Sequence, residues 1–111
     1  MTDMVKLLFC NVGSSDLDRA SLEALNRLNE RERARRILAE WDTYAPRLRL
    51  PIIGKALRFV LAQPGDLARL VLIASDQGDT PPDDPYLAEL WGKDTCGTAQ
   101  VIRRALAAGC D

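Results

Sequence analysis

Residues 5–18 read Val-Lys-Leu-Leu-Phe-Cys-Asn-Val-Gly-Ser-Ser-Asp-Leu-Asp, and this stretch decides the fold. A short apolar run, Val5 to Cys10 or as far as Val12, breaks at Gly13 into small polar residues. A helical pattern follows. A continuous apolar run of this length, ended by a turn signal, reads as a buried strand. In open α/β sheets ligands sit outside the carboxyl ends of the strands, and the free N–H groups that open a helix favour anions. The segment therefore predicts a first strand that delivers the chain to a ligand, with a phosphate-bearing or nucleotide ligand as the leading class.

Working outward, Leu22, Leu25 and Leu28 recur at helical spacing, followed by Ala34, Ile37, Leu38 and Trp41. The pattern fits one long amphipathic helix or two shorter ones meeting near Asn29. Arg31, Arg33, Arg35 and Arg36 form a basic run, but Glu30, Glu32 and Glu40 interleave with it. A salt-bridged, solvated face explains that arrangement better than a nucleic-acid patch. Asp42 to Leu50 reads as a connector. Pro51 suits the first turn of a helix whose apolar stripe is Ile52, Ile53, Ala56, Leu57, Val60 and Leu61, stopped by Gln63-Pro64-Gly65. Arg69 to Ala74 is the second strand, apolar on both faces as a central parallel strand is. The proline-rich stretch from Gly78 to Pro85 reads as a loop, and Tyr86 to Trp91 as a short helical turn. Asp94 or Thr95 caps a last helix with apolar positions Ala99, Val101, Ile102, Ala105 and Leu106, and Gly109 stops it.

The order β, α, α, β, loop, α predicts an α/β fold: a Rossmann-like βαβ unit with a parallel sheet, in a single domain over 1–111. Two strands make a poor independent sheet. Leu48 to Ile53 is the best candidate for a third, although Pro51 counts against it. Otherwise a larger domain or a partner completes the sheet.

Composition narrows the function. The 111 residues are 47% hydrophobic with a formal net charge of −1, so no global field draws the chain to nucleic acid or an acidic membrane. Aromatics are only 5%, too few for a base-stacking platform. There is no histidine, and Cys10, Cys96 and Cys110 share no close spacing. That removes the common zinc sets and histidine-dependent triads, and no metal or cofactor is expected. The scattered thiols, the absence of a membrane-length apolar run and the lack of a signal-peptide pattern point to the cytoplasm. Neither Gly54-Lys55 nor Gly92-Lys93 has Walker spacing, and the dinucleotide fingerprint is absent. No catalytic set assembles. Cys10 reads as a small core residue, and Asp83 and Asp84 as solvated.

Three polar segments remain as candidate ligand-binding residues. The first is Asn11, Gly13, Ser14, Ser15 and Asp16. Gly13 permits a sharp turn, and the serine hydroxyls can donate to phosphate or ribose oxygens. Asp16 repels phosphate, so it caps the helix or accepts from a sugar hydroxyl. The second is Ser75, Asp76 and Gln77, which shares a sheet edge with the first if the strands are parallel neighbours. The third is Lys93, Asp94 and Thr95, where a cap is the simplest role and Lys93 offers a positive charge. Every one of these segments equally fits a capped turn with no ligand.

Together, Leu7-Leu-Phe-Cys-Asn-Val-Gly-Ser-Ser-Asp-Leu17, Leu70-Val-Leu-Ile-Ala-Ser-Asp-Gln77 and Lys93-Asp-Thr95 resemble the CRISPR-associated Rossmann-fold (CARF) sensor domains, in the order those proteins use. The resemblance implies a Rossmann-like domain that dimerises and binds a cyclic oligoadenylate across the dimer interface, as part of antiviral defence. It also implies that the loop after the first strand, here Asn11 to Asp16, contacts the ligand. Some members of that family cleave their ligand slowly, so a ring nuclease is an alternative, and many carry a C-terminal effector domain. The family domain is longer and has a second ligand-binding motif in its later half, with no counterpart here. The expectation is a reduced or incomplete domain of this kind. A non-catalytic structural or oligomerisation module is the third reading.

Overall fold

The structure, a computed structural model, describes residues 5–13, 16–17, 22 and 24–109. It is mixed α/β. Strand β1 (Val5–Asn11) is followed by helices α1 (Glu30–Ala39) and α2 (Trp41–Tyr44) and a 3₁₀ turn (Ala45–Arg47). Helix α3 (Pro51–Leu61), strand β2 (Asp66–Ile73) and helices α4 (Pro85–Gly92) and α5 (Cys96–Ala107) complete the order.

The two strands pair in parallel, from Val5 opposite Asp66 to Asn11 opposite Ile73, with one irregularity between Lys6 and Leu7 that leaves Ala68 as an extra residue. Strand alternation then sorts the side chains. Lys6, Leu8 and Cys10 are half-buried, and Cys10, Leu70 and Leu72 pack against the core. Lys6 reaches the end of α3, donating from Nζ to the carbonyls of Val60 (2.6 Å) and Gln63 (2.9 Å). That cation sits at the negative end of the helix dipole. The opposite face of β1 is bare: Val5, Leu7 and Phe9 are 65%, 58% and 60% exposed. Among the described residues, helices cover one face of the sheet only.

This corrects the reading of Arg69 to Ala74 as a central strand. The strand forms and is parallel, but among the described residues it has one neighbour, and Arg69 and Ile73 are exposed. Leu48 to Ile53 adds no strand. Leu48 and Leu50 are buried as the chain enters α3, which starts at Pro51 as the sequence predicts.

The core lies among the helices. Ala34 and Ile37 of α1 and Val101, Ile102 and Ala105 of α5 are essentially inaccessible, joined by Leu22, Leu25, Leu48, Leu50 and Ile53. Each large aliphatic side chain so buried contributes about 1.5–3 kcal/mol. The two helices approach closely because small residues meet. A Cβ on Gly97 would stand 2.8 Å from Ala34 Cβ, closer than two carbons can come.

Neither helix arrangement open for Leu22 to Trp41 holds in full: among the described residues the segment before Asn29 is 3₁₀ and turn rather than helix, α1 starts only at Glu30, and Trp41 opens α2. Asn29 ends one segment and caps α1, its side chain accepting from Glu32 N at 2.8 Å. The connector expected over Asp42 to Leu50 contains α2 and the 3₁₀ turn instead. The basic run is also less uniform than its charge pattern implies. Arg36 pairs with Glu40 on the surface (3.4 Å), whereas Arg33 is 5% exposed and pairs with Glu30 at 3.0 Å inside the protein.

The prolines and glycines act where composition placed them. Pro85 opens α4, and Asp84 is its cap rather than simply solvated, accepting from Tyr86 N and Leu87 N at 2.9 and 3.1 Å. Gly109 takes the left-handed conformation (φ 83°) that ends α5.

Candidate functional site

The carboxyl ends of both strands point to one edge, where three of the polar segments lie. Val12 leaves β1 still tied to β2, its N–H donating to Ile73 O at 2.8 Å. The chain then turns at Gly13. Asp16 N donates to Gly13 O at 3.2 Å, and the Asp16 carboxylate accepts from Gly13 N. Asp16 thus braces its own turn. Asp16 is 3% exposed, and no donor among the described residues reaches its Oδ1. Gly13 is not in the left-handed region, and a Cβ there would make ordinary contact at 3.9 Å. The turn therefore depends on the Asp16 carboxylate more than on glycine's conformational freedom. Asn11 is exposed on the bare face of the sheet. Ser14 and Ser15 lie outside the described residues.

After β2, the chain is tied to the start of α5. Ser75 N donates to Thr95 Oγ1 at 2.9 Å, and Thr95 N donates back to Ser75 Oγ at 3.2 Å. Asp94 accepts from three directions. Its Oδ1 takes Cys96 N at 2.7 Å, and its Oδ2 takes Gln77 N and the Arg31 guanidinium, the latter at 3.1 Å. Asp94 is therefore the residue that caps α5. Thr95 stands at the N-cap position but makes no capping bond, because its hydroxyl is engaged with Ser75. Lys93 is exposed and pairs with Glu89 at 3.4 Å, the surface role that its residue type makes commonest. Asp76 accepts from Gly78 N at 2.9 Å, turning the loop away from the strand.

Arg31 links these parts. Its guanidinium stacks 3.9 Å from the Trp91 ring, donates to Trp91 O at 3.1 Å and pairs with Asp94. Trp91 in turn donates to Gly78 O at 3.0 Å. The packing around α4 is tight: a Cβ on Gly92 would come within 2.7 Å of the capping Asn29 side chain.

A cavity of about 390 Å³ opens beside this network, lined by Arg31, Arg35, Asp76, Asp79, Asp94 and Gln100 among others. That volume is near the lower end for small-molecule sites, about 300–1,000 Å³. Its lining mixes two arginines with three aspartates, so it favours a ligand carrying both donors and acceptors over a bare polyanion. Arg35 is exposed there and has no ion-pair partner among the described residues. The second and third predicted segments thus come together, while none of the lining comes from Asn11, Gly13 or Asp16. Arg31, Arg35, Asp79 and Gln100 are site residues that the charge pattern did not single out. The signal was present: Arg31 and Arg35 are four apart, hence on one face of α1.

Replacing Asp94 with alanine should cost about 2 kcal/mol, the scale of hydrogen bonds to a charged group, and free the 75–79 loop. Denaturant unfolding and exchange of the Gln77 amide measure the two effects. Unchanged protection at Gln77 would show that the loop does not depend on this carboxylate.

Burial, and then the Asp16 carboxylate, push the Cys10 thiol pKa up. Cys10 is half-buried, so it has the protonated, inert character of a core thiol. The folded chain holds this proton to higher pH than the unfolded chain. The associated stability is present below the thiol's ordinary range and is lost as pH rises through the raised value. Alkylation of Cys10 by iodoacetamide at mildly alkaline pH should run slower in the folded chain than in urea. Equal rates, read by mass spectrometry of the Cys10 peptide, would contradict the assignment.

Compared with protein-family models, curated proteins and solved structures, the chain finds no match. Among the described residues no helix is long and apolar enough to cross a membrane, and no three His, Cys, Asp or Glu residues gather as a metal set would.

Proposed function

We propose that the chain is a nucleotide-sensing α/β module of the CARF kind, cytoplasmic, which binds a cyclic oligoadenylate between two copies related by a two-fold axis. The observation that carries the reading is the convergence of Ser75-Asp76-Gln77 and Lys93-Asp94-Thr95 at the carboxyl edge of a parallel strand pair, beside a charged cavity. Ligands of α/β sheets occupy that edge. The Asn11 to Asp16 turn leaves the same edge, and a two-fold axis would bring two such turns around one ring. Binding would rest on Arg35 and on the Ser14 and Ser15 hydroxyls.

A structural module is the competing reading. What favours it is that Ser75, Asp94 and Thr95 already spend their hydrogen bonds inside the protein. Calorimetry against cyclic tetra- and hexa-adenylate separates the two. The sensor reading expects saturable heat with one ring per two chains. It also expects weaker binding after Ser14→Ala/Ser15→Ala, since each hydrogen bond to a charged group is worth about 1.5–3 kcal/mol. No heat with either ring, from protein with an intact circular dichroism spectrum, overturns it in favour of the structural module. Chromatography of the incubated ring tells binding from cleavage.

A further inference from the structure

Strand β2 is hydrogen-bonded to β1 on one side only, so among the described residues its other edge presents backbone N–H and C=O groups without a partner strand. A trough of about 730 Å³ adjoins β2 and α5. Arg69, Leu70, Val71 and Leu72 line it consecutively, although their side chains alternate between the two faces, and no β1 residue contributes. The trough therefore runs along the free edge itself. Its far wall is α5, through Ala99 and Leu106, and Arg69 and Arg103 supply two exposed cations. Neither arginine meets a carboxylate among the described residues, unlike Arg31, Arg33 and Arg36.

These three properties select the occupant. A lipid tail or an aromatic ring would fill the apolar volume and leave the strand edge unpaired. An extended polypeptide fills the volume and completes the ladder, with main-chain bonds giving affinity and alternate side chains giving specificity. Pairing with the β2 edge of a second copy would set Arg69 and Arg103 against their own equivalents, and like charges across an interface oppose that contact. We propose that the β2 edge and α5 form a docking groove for an extended segment of another protein, with apolar residues alternating with acidic ones, added as a third strand. The apolar side chains face α5, the carboxylates alternate to the opposite face and meet Arg69, and Arg103 on the α5 wall adds positive charge at the rim. This groove lies away from the cavity of the proposed nucleotide site and does not depend on that reading.

The test uses a fluorescein-labelled hexapeptide of alternating valine and glutamate, with its valine–lysine counterpart as control. The intact chain should give a saturable rise in anisotropy with the glutamate peptide. Arg69→Glu should weaken it by about tenfold or more, the scale of charge reversal at an interface, and Arg103→Glu, at the rim, by less. Both positions are exposed, so the fold survives the changes. Hydrogen exchange of the β2 amides should slow in the complex. The proposal fails if no saturable binding occurs up to about 1 mM, the weak end of specific recognition. It fails equally if the lysine peptide binds as well, or if binding brings no added protection to β2.

Discussion

Replacing Arg33 with methionine is expected to destabilise the protein by about 3–5 kcal/mol, the cost of breaking a buried ion pair by removing one partner. Arg33 sits on α1, almost wholly buried, with Nη1 3.0 Å from Glu30 Oε1. Its Nη2 donates to Leu28 O at 3.0 Å and its Nε to Leu25 O at 3.4 Å. The guanidinium thus neutralises a buried carboxylate and satisfies two carbonyls of the segment that precedes α1. Methionine matches its length but supplies no donor. Glu30 loses its bond to Arg33, and the carbonyls of Leu25 and Leu28 lose a charged donor. A second substitution, Glu30→Met with Arg33→Met, should recover part of the loss, since it removes the carboxylate that Arg33 pairs with but leaves the two carbonyls without that donor. Urea unfolding of the two single variants and the double variant gives the coupling. A cost for Arg33→Met under about 1 kcal/mol would mean that this pair behaves like a surface one.

Ile102→Ala is the second large effect, at about 2–5 kcal/mol, the range for truncating a fully buried aliphatic side chain. Ile102 and Ile37 are both at 0% exposure, on the two helices that form the heart of the core. Gly97 and Ala34 hold those helices so close that they have little room to collapse into the space left behind. A small domain has a total stability of about 5–15 kcal/mol, so the variant loses a large share of it. The urea midpoint should fall with little change in the slope. Phe9→Ser provides the contrast. It removes more apolar surface, but Phe9 is 60% exposed on the bare sheet face, and the expected change is within about 0.5 kcal/mol. Comparable losses at the two positions would mean that the bare face is covered in solution.

These contrasts show where the sequence was readable. The carboxyl ends of both strands to within a residue, the start of α3 at Pro51 and the stop at Gly109 follow from local chemistry: apolar runs, a proline at a first turn, a glycine in the left-handed region. Such signals act within a few residues and need no tertiary context. The pairing of Ser75-Asp76-Gln77 with Lys93-Asp94-Thr95 was legible at one remove, because parallel strands bring their carboxyl ends together. The role of each residue within that pair was not. Capping preference leaves Asp94 and Thr95 equal candidates, and only the position of Ser75 diverts the threonine hydroxyl and leaves the cap to Asp94.

The arginines of α1 mark the same limit. In sequence, Arg31, Arg33, Arg35 and Arg36 are one basic run with glutamates between them. In the fold, Arg33 is a core ion pair, Arg31 a clamp on Trp91 and Asp94, Arg36 a surface pair, and Arg35 a cation at a cavity with no carboxylate partner among the described residues. Helical geometry turns each successive residue by about 100°, so four near neighbours face four environments. Charge patterning averages over those environments.

Periodicity and turn chemistry are local, so the two strands, helices α3, α4 and α5 and the mixed α/β class were legible in the sequence, whereas α2, the 3₁₀ turn and the late start of α1 were not. Tertiary structure alone decided that, among the described residues, helices cover only one face of the two-stranded sheet, that Asp16 braces its own turn, and that Arg69 and Arg103 share a trough along an open strand edge. Residues 34 positions apart meet there because burying the α1 and α5 stripes against each other dictates where β2 lies. That energy is collective, and no short stretch of the chain records it.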